Sequence, residues 1–280
     1  MTMTIECPQV EMPQAIIAAN QKSAPFYPAP NSNKFANALR QLGIMLEWNF
    51  RGLGQSLPLV IIIQILMAVL TIFGYSMLLG DAITPEAATF LTTGSVTVQL
   101  IVVGLVMTPQ SVAQAKTEGS LTWMRTLPMP QLVFFFADLL LYTAMAIPGT
   151  VLSLALASWR FGITLSISPW LVPAVLLVAL ISATVGYAIA LLLDPKVAML
   201  ITQVLVFVVL MFSPINMPPA NLPNWLAGVH NWLPIAPMAE LIRATLVSDT
   251  FTMPLHSTIV LAFWTLIALA SAGRALSRRA

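Results

Sequence analysis

The sequence predicts an all-α integral membrane protein: six transmembrane helices, an amphipathic interfacial helix ahead of them, and short extracellular helices between the fifth and sixth spans. Three observations carry that expectation. Of 280 residues, 58% are hydrophobic and only 8% are charged, where a soluble domain carries about 25% charged residues. Nearly uncharged runs recur along the chain, most of them close to the ~20 residues that cross the hydrocarbon core as a helix. Finally, ten of the 12 lysines and arginines fall in segments that an even number of spans places on one side.

The elements follow in order. Residues 1–32 hold Pro8, Pro13, Pro25, Pro28 and Pro30 and no run long enough to span, so they read as a flexible cytoplasmic tail, not a signal peptide. The single cysteine, Cys7, lies there and cannot close an internal disulfide. In residues 33–51, Phe35, Leu39, Leu42, Leu46 and Phe50 recur every three or four positions, with Lys34, Arg40, Glu47 and Arg51 mostly between them. Trp48 and Arg51 just before a spanning run suit a helix in the headgroup layer. A helix packed on protein would show the same period. The body, 33–280, then carries spans at about 57–79, 87–107, 132–158, 170–193, 197–212 and 258–276. Asp138 and Pro148 interrupt the third, and Asp194-Pro195 breaks the chain between the fourth and fifth. Residues 213–256 hold Glu240, Arg243, Asp249, His230, His256 and several prolines, and do not span comfortably. They read as an outer segment with two short helices, 222–233 and 237–247, with Trp225 and Trp232 at the membrane surface.

Orientation follows from the basic residues. Lys22, Lys34, Arg40, Arg51, Lys116, Arg125, Lys196, Arg274, Arg278 and Arg279 share one side, against Arg160 and Arg243 on the other. That bias makes both termini cytoplasmic, in a multi-pass protein of the cell membrane.

The chemistry is sparse. No GxxxxGK[ST], HExxH or GxSxG motif occurs, so neither ATP binding through such a loop nor a metal or acyl-transfer centre is expected. His230 and His256 lie far apart. A formal charge of +2 gives no basis for a nucleic-acid partner. Asp138 is the intramembrane acid, and either serves a relay or pairs with a neighbouring helix. An ion-coupled transporter would need more such groups, so the driving force is expected from another chain. In the second span Thr93, Thr97 and Gly104 share a face, as do Ser95 and Gln99. Such residues either pack helices closely or line a path, and Thr202 and Gln203 in the fifth span pose the same choice. The segment 109–130 contains Lys116, Glu118, Gly119, Ser120, Leu121, Trp123 and Arg125, and reads as a short helix broken at Gly119 and closed before Pro128. Either a partner docks there or it is a solvated connector.

Two stretches carry a resemblance. Glu118-Gly119-Ser120-Leu121 followed by Leu127-Pro128 resembles the cytoplasmic Glu-x-Gly-Thr-Leu … Leu-x-x-Pro segment of ABC-type-two exporter permeases, which have the type V exporter fold. Phe212-Ser213-Pro214, Pro218, Leu222-Pro223, Trp225-Leu226, Leu233-Pro234 and Glu240-Leu241-Ile242-Arg243 resemble that family's outer segment. The stretch Ala113-Gln114-Ala115-Lys116-Thr117 is poorer in charge than the family pattern. The resemblance implies a non-catalytic permease subunit that moves a lipid, amphiphilic drug or hydrophobic peptide outward. It also implies a second permease, the same or related, and separate nucleotide-binding ATPase subunits that hold ATP and Mg. Lys116, Glu118, Gly119, Ser120, Leu121, Trp123, Arg125, Arg40 and Arg51 would dock the ATPase. Thr93, Thr97, Gln99, Thr202 and Gln203 would line the path, and Trp225, Trp232, Glu240 and Arg243 would shape the exit. An ion-coupled transporter resting on Asp138, or a membrane assembly factor without an ATPase, are the rival readings.

Overall fold

A computed structural model describes residues 34–52, 54, 57–79, 84–120, 131–216 and 223–277. The tail 1–32, Leu121, Trp123, Arg125, Leu127, Pro128, Pro218 and Leu222 lie outside the described residues. The chain divides into two units, Met1–Arg40 and Gln41–Ala280. Of the first, residues 34–40 are described, and they are helical. The second contains the membrane bundle.

Helix α1 is Lys34–Gly52. Beyond residue 40 its apolar period buries Met45, which packs with Leu42 and Leu46 against Val133, Phe134 and Ala137. Ile44, Trp48 and Phe50 stay exposed on the other side. Five described helical stretches are long and apolar enough to cross a membrane: Leu57–Met77, Pro85–Thr117, Val133–Phe161, Leu171–Leu192 and Pro195–Phe212. They belong to α2 (Leu57–Leu79), α3 (Pro85–Val102) with its continuation α4 (Thr108–Thr117), α5 (Gln131–Phe161), α6 (Leu171–Leu192) and α7 (Pro195–Phe212). Two short helices follow, α8 (Asn224–His230) and α9 (Ile235–Leu246), close to the two expected in the outer segment. The last helix, α10, runs Leu255–Ser277, and its described apolar part is the shorter Leu255–Ser271. Ser271, Gly273 and Arg274 dilute the apolar run near its end.

The second spanning element departs most from expectation. The sequence places its end at residue 107, ahead of Pro109. The helix instead continues through a π turn, Val103–Met107, into α4. Proline lacks the N–H that would bond the Leu105 carbonyl, and its ring crowds that carbonyl. A locally widened turn takes up the extra backbone and lets the helix go on. At its start Thr84 caps the helix, its hydroxyl accepting the Ala87 N–H at 3.1 Å, with Pro85 in the first turn.

This element forms the middle of the bundle. Every residue from Leu91 to Ile101 is buried. The hydroxyls of Thr92, Thr93, Ser95 and Thr97 are bonded, as hydrocarbon requires, while Gln99 Oε1 has no partner among the described residues. Thr92, Thr93 and Thr97 donate to carbonyls four residues back, Ala88 at 2.7 Å, Thr89 at 2.9 Å and Thr93 at 3.1 Å. Ser95 donates to Thr92 at 2.8 Å. Around it lies an apolar core that includes Ile101, Val178, Ile181, Ile242 and Leu246. The π turn meets α6 at two glycines. A Cβ at Gly186 would stand 2.5 Å from the Gly104 carbonyl oxygen and 3.0 Å from Pro109 Cδ. Large apolar residues remain exposed on α2 (Leu59, Ile62, Leu66, Leu70) and α7 (Leu200, Val204, Phe207, Met211), the surfaces that lipid or another membrane chain would cover.

Two glycine substitutions test this packing. Gly186→Val is expected to destabilise by about 1–3 kcal/mol or more, because backbone and a proline ring stand where the side chain must go. Gly43→Ala, with no atom within 4 Å of the added Cβ, is expected to be neutral or to stabilise by up to about 1 kcal/mol. Thermal unfolding of the detergent-solubilised chain measures both, and equal melting temperatures for the two variants would contradict the close approach.

Candidate functional site

The two ends of the α3–α4 rod are each tied to another part of the bundle by a cationic side chain. At one end, Lys116 in the last turn of α4 reaches the end of α6. Its Nζ donates to the carbonyls of Ala190 at 2.5 Å, Leu191 at 3.3 Å and Leu193 at 3.2 Å. These are carbonyls that the helix leaves without intrahelical partners, where the helix dipole is negative and an ammonium is favoured. The ammonium's three donors are thus spent inside the chain. Sequence reasoning set Lys116 among residues facing a partner; in the structure it is half-buried and holds the α6–α7 break. That break is local chemistry: Leu193 and Asp194 are extended and Pro195 opens α7.

Glu118, Gly119 and Ser120 follow directly. Glu118 is exposed and accepts Gln114 Nε2 at 2.7 Å. Gly119, at φ +74°, takes the left-handed conformation that ends a helix and suits glycine. Ser120 donates to the Ala115 carbonyl at 3.3 Å. Arg40 is exposed, and so is Arg51, which pairs with Glu47 at 2.6 Å. Leu121, Trp123 and Arg125 complete the sequence-derived set outside the described residues. Asp138 of α5 accepts a hydrogen bond from Asn49 Nδ2 of α1 at 2.6 Å, joining α1 to the bundle.

At the other end, Arg243 of α9 is only 2% exposed. Its Nε donates to Thr93 Oγ1 at 3.1 Å and its Nη2 to the Ile215 carbonyl at 3.2 Å. Its Cζ lies 3.6 Å from the centroid of the Phe90 ring and 5.4 Å from that of Phe251. Burial pulls the guanidinium down to about 10, opposed by the nearby Glu240 carboxylate, so it stays charged at neutral pH. Two buried oxygens here, Asn216 Oδ1 and Glu240 Oε2, have no hydrogen-bond partner among the described residues. Backbone approach is tight as well, since a Cβ on Gly94 would stand 2.5 Å from the Ile215 oxygen.

The remaining predicted residues separate. Thr97 is buried and bonded to its own helix, and Gln99 Nε2 donates to the Gly149 carbonyl at 2.9 Å and Ser153 Oγ at 2.5 Å on α5. Thr202 is buried and bonds the Ala198 carbonyl at 2.9 Å. Of the five path candidates, Gln203 alone is exposed, on the apolar face of α7. Trp225 and Trp232 are exposed, whereas Arg243 is buried. Trp232 meets the His256 ring edge-on at 6.1 Å, and its carbonyl accepts Trp264 Nε1 at 2.9 Å. Phe90, Ile215 and Phe251 had no signal in the sequence, since nothing local links them to a residue more than 150 positions or a loop away.

The family model for the ABC-2 type transporter matches residues 40–247, which includes both ends of the rod. No curated protein matches the chain.

Arg243→Met is expected to cost about 3–5 kcal/mol or to abolish the fold, because partners shaped around a buried charge lose it. Arg243→Lys should not rescue it, since an ammonium cannot reach two acceptors and two rings in one plane. The sign of the pH dependence follows from the lowered value. Arg243 is protonated in folded and unfolded chains alike well below pH 10, so the loss should be the same at pH 6 and pH 8. At the other end, Lys116→Met is expected to cost roughly 1–2 kcal/mol by uncapping α6. Thermal and denaturant unfolding in detergent read both, and a Lys116→Met chain as stable as the wild type would mean that the strut holds nothing.

Proposed function

The chain belongs to the ABC-2 type transporter family, and from that premise we propose that it is the permease subunit of an ATP-driven exporter. It is a multi-pass membrane component of a transporter, in a family whose membrane subunits generally do no catalysis themselves. In the proposal, α10 serves as the sixth span, both termini face the cytoplasm, and the complex sits in the cell membrane. Two permeases, identical or related, pair with two nucleotide-binding subunits. Those subunits hold ATP and Mg; this chain supplies the path and no cofactor.

The observation that carries the reading is the continuous rod Pro85–Thr117. Its 33 residues span about 50 Å at ~1.5 Å each, well over the ~30 Å hydrocarbon. One end emerges beside Glu118, Gly119 and Ser120, the exposed stretch proposed to dock the ATPase together with Leu121, Trp123, Arg125, Arg40 and Arg51. The other end holds Arg243 through Thr93. A push at Glu118 therefore reaches α9 along a single helix. Lys116 acts as a strut and not as a docking residue, carrying the same push to α6 and α7. For ATP to drive this, the closed ATPase pair must bind one arrangement of the rod better than the other.

The path is assigned to the exposed face of α7, where Gln203 stands among Leu200, Val204 and Phe207. Thr202 supports that wall from behind, while Thr93, Thr97 and Gln99 are buried on α3. Trp225 and Trp232 sit at the exit, with Glu240 and Arg243 fixing α9 beneath them. An amphiphilic cargo suits such a wall better than a sugar does, because a sugar's hydroxyls would find few partners.

The affinity-tagged chain purified from its native membrane is expected to bring down a nucleotide-binding ATPase. Glu118→Arg should reduce the recovered ATPase by roughly tenfold, the scale of one interfacial charge reversal, with no change in melting temperature. Undiminished recovery would remove Glu118 from the contact, and the absence of any ATPase would overturn the permease reading.

A further inference from the structure

At the end of the bundle that carries Lys116, a cavity of about 590 Å³ opens between α1, α2, the π turn with α4, and the first part of α5. Apolar wall comes from Trp48 of α1, Leu59 and Ile63 of α2, Met107 of the π turn and Tyr142 of α5, while Gln110, Ser111, Gln114 and Ser120 add neutral polar groups on the α4 side. Into this space comes the carboxyl group of Asp138. Its one described partner, Asn49, is neutral: the amide orients one oxygen at 2.6 Å and supplies no charge. No lysine or arginine is among the described residues that line the cavity, and the second acid there, Glu118, adds the same sign.

Packing does not explain an acid at this position. The contact of α1 with α5 is made by Met45, Val133 and Ala137, and an amide at 138 would serve Asn49 equally well. A carboxylate at the edge of the hydrocarbon is costly unless something neutralises it. We propose that this cavity binds an organic cation with an apolar body, the Asp138 carboxylate supplying the counter-charge. The volume falls within the range of drug-sized sites, and the aromatic faces of Trp48 and Tyr142 favour a cation over a neutral molecule. A bare metal cation is usually held by several carboxylates or histidines, and among the described residues no three such side chains are grouped to hold one. An anion would meet two acids. Resting on the permease reading, the cavity is a loading site within one subunit, and the cargo class narrows to cationic amphiphiles.

Tetraphenylphosphonium is a suitable probe, with triphenylphosphine oxide as its neutral comparator. Equilibrium binding of the radiolabelled cation to the full chain in lipid nanodiscs is expected to be saturable. Asp138→Asn should weaken it by roughly tenfold or more, the scale of one charged contact in a partly desolvated site. Asp138→Glu, which keeps the charge, should retain most of the binding, and the neutral comparator should bind wild type and Asp138→Asn alike. Unchanged cation binding in Asp138→Asn would overturn the proposal, as would equal loss of the neutral comparator. No ATPase is present in this assay, so a negative result removes the site and leaves the permease reading standing. Saturable, Asp138-dependent binding by a chain that brings down no ATPase would support the site and sink the permease reading instead.

Discussion

Hydrocarbon offers no hydrogen bonds, and one helix of this protein carries more hydrogen-bonding side chains than a lipid-facing surface tolerates. Thr92, Thr93, Ser95, Thr97 and Gln99 sit within eight positions of α3. Each must be bonded inside the protein or stay unmade at a cost of several kcal/mol. That requirement sends α3 to the centre and the more apolar α2 and α7 to the periphery, where only about a fifth of their spanning residues are buried (22% in each, against 83% for the central rod). Two solutions are used side by side. Hydroxyls fold back on their own helix, which needs no neighbour and leaves the surface smooth for packing. Gln99 is too long for that and reaches Gly149 and Ser153, so it fixes the register of α3 against α5.

Arg243 extends the same constraint to a full charge. A guanidinium buried to 2% exposure has lost most of its hydration. No carboxylate forms a salt bridge with it among the described residues. Two hydrogen bonds and the face of Phe90 stand in for water instead. Such an arrangement adds little net stability, because what it gains repays desolvation. Its value is positional. Thr93, the Ile215 carbonyl and Phe90 can be satisfied together in one placement of α9 only, so a helix of 12 residues that could otherwise slide on an apolar surface is held in place.

The sequence made legible whatever depends on neighbours in the chain. Spanning runs follow from composition, the α6–α7 break from Asp194-Pro195, and the end of α4 from Gly119. What it hid depends on partners far away in the chain. Pro109 reads as a stop, yet the glycine contact between Gly104 and Gly186 lets a π turn carry the helix past it. Lys116 reads as a cation for a docking partner because the carbonyls it caps lie 74–77 positions further on. Arg243 reads as a charge on a short outer helix because its partner Thr93 is 150 positions earlier. The same distance concealed the difference between Gln203, which faces outward, and Thr202, which does not. Both are polar residues in one span, and only the packing of α7 tells them apart.

The rod's two anchors differ in kind, and the difference decides how motion can pass along it. At Thr93 the anchor is a side-chain network that fixes position and rotation together. At Lys116 it is a flexible stem ending in an ammonium that meets three carbonyls, which tolerates sliding while keeping attachment. Between them, over 23 residues or roughly 35 Å, lies one soft place, the π turn, whose widened backbone has weaker geometry than the α-helix on either side. A displacement applied beyond Lys116 therefore has two outlets: it bends the rod at Val103–Met107, or it moves α6 through the ammonium. The glycine contact joins them, since the π turn and α6 touch there without side chains between them. Bending the one presses directly on the other, so α6 and the rod must move as a pair, and α7, which follows α6 after a two-residue break, moves with them.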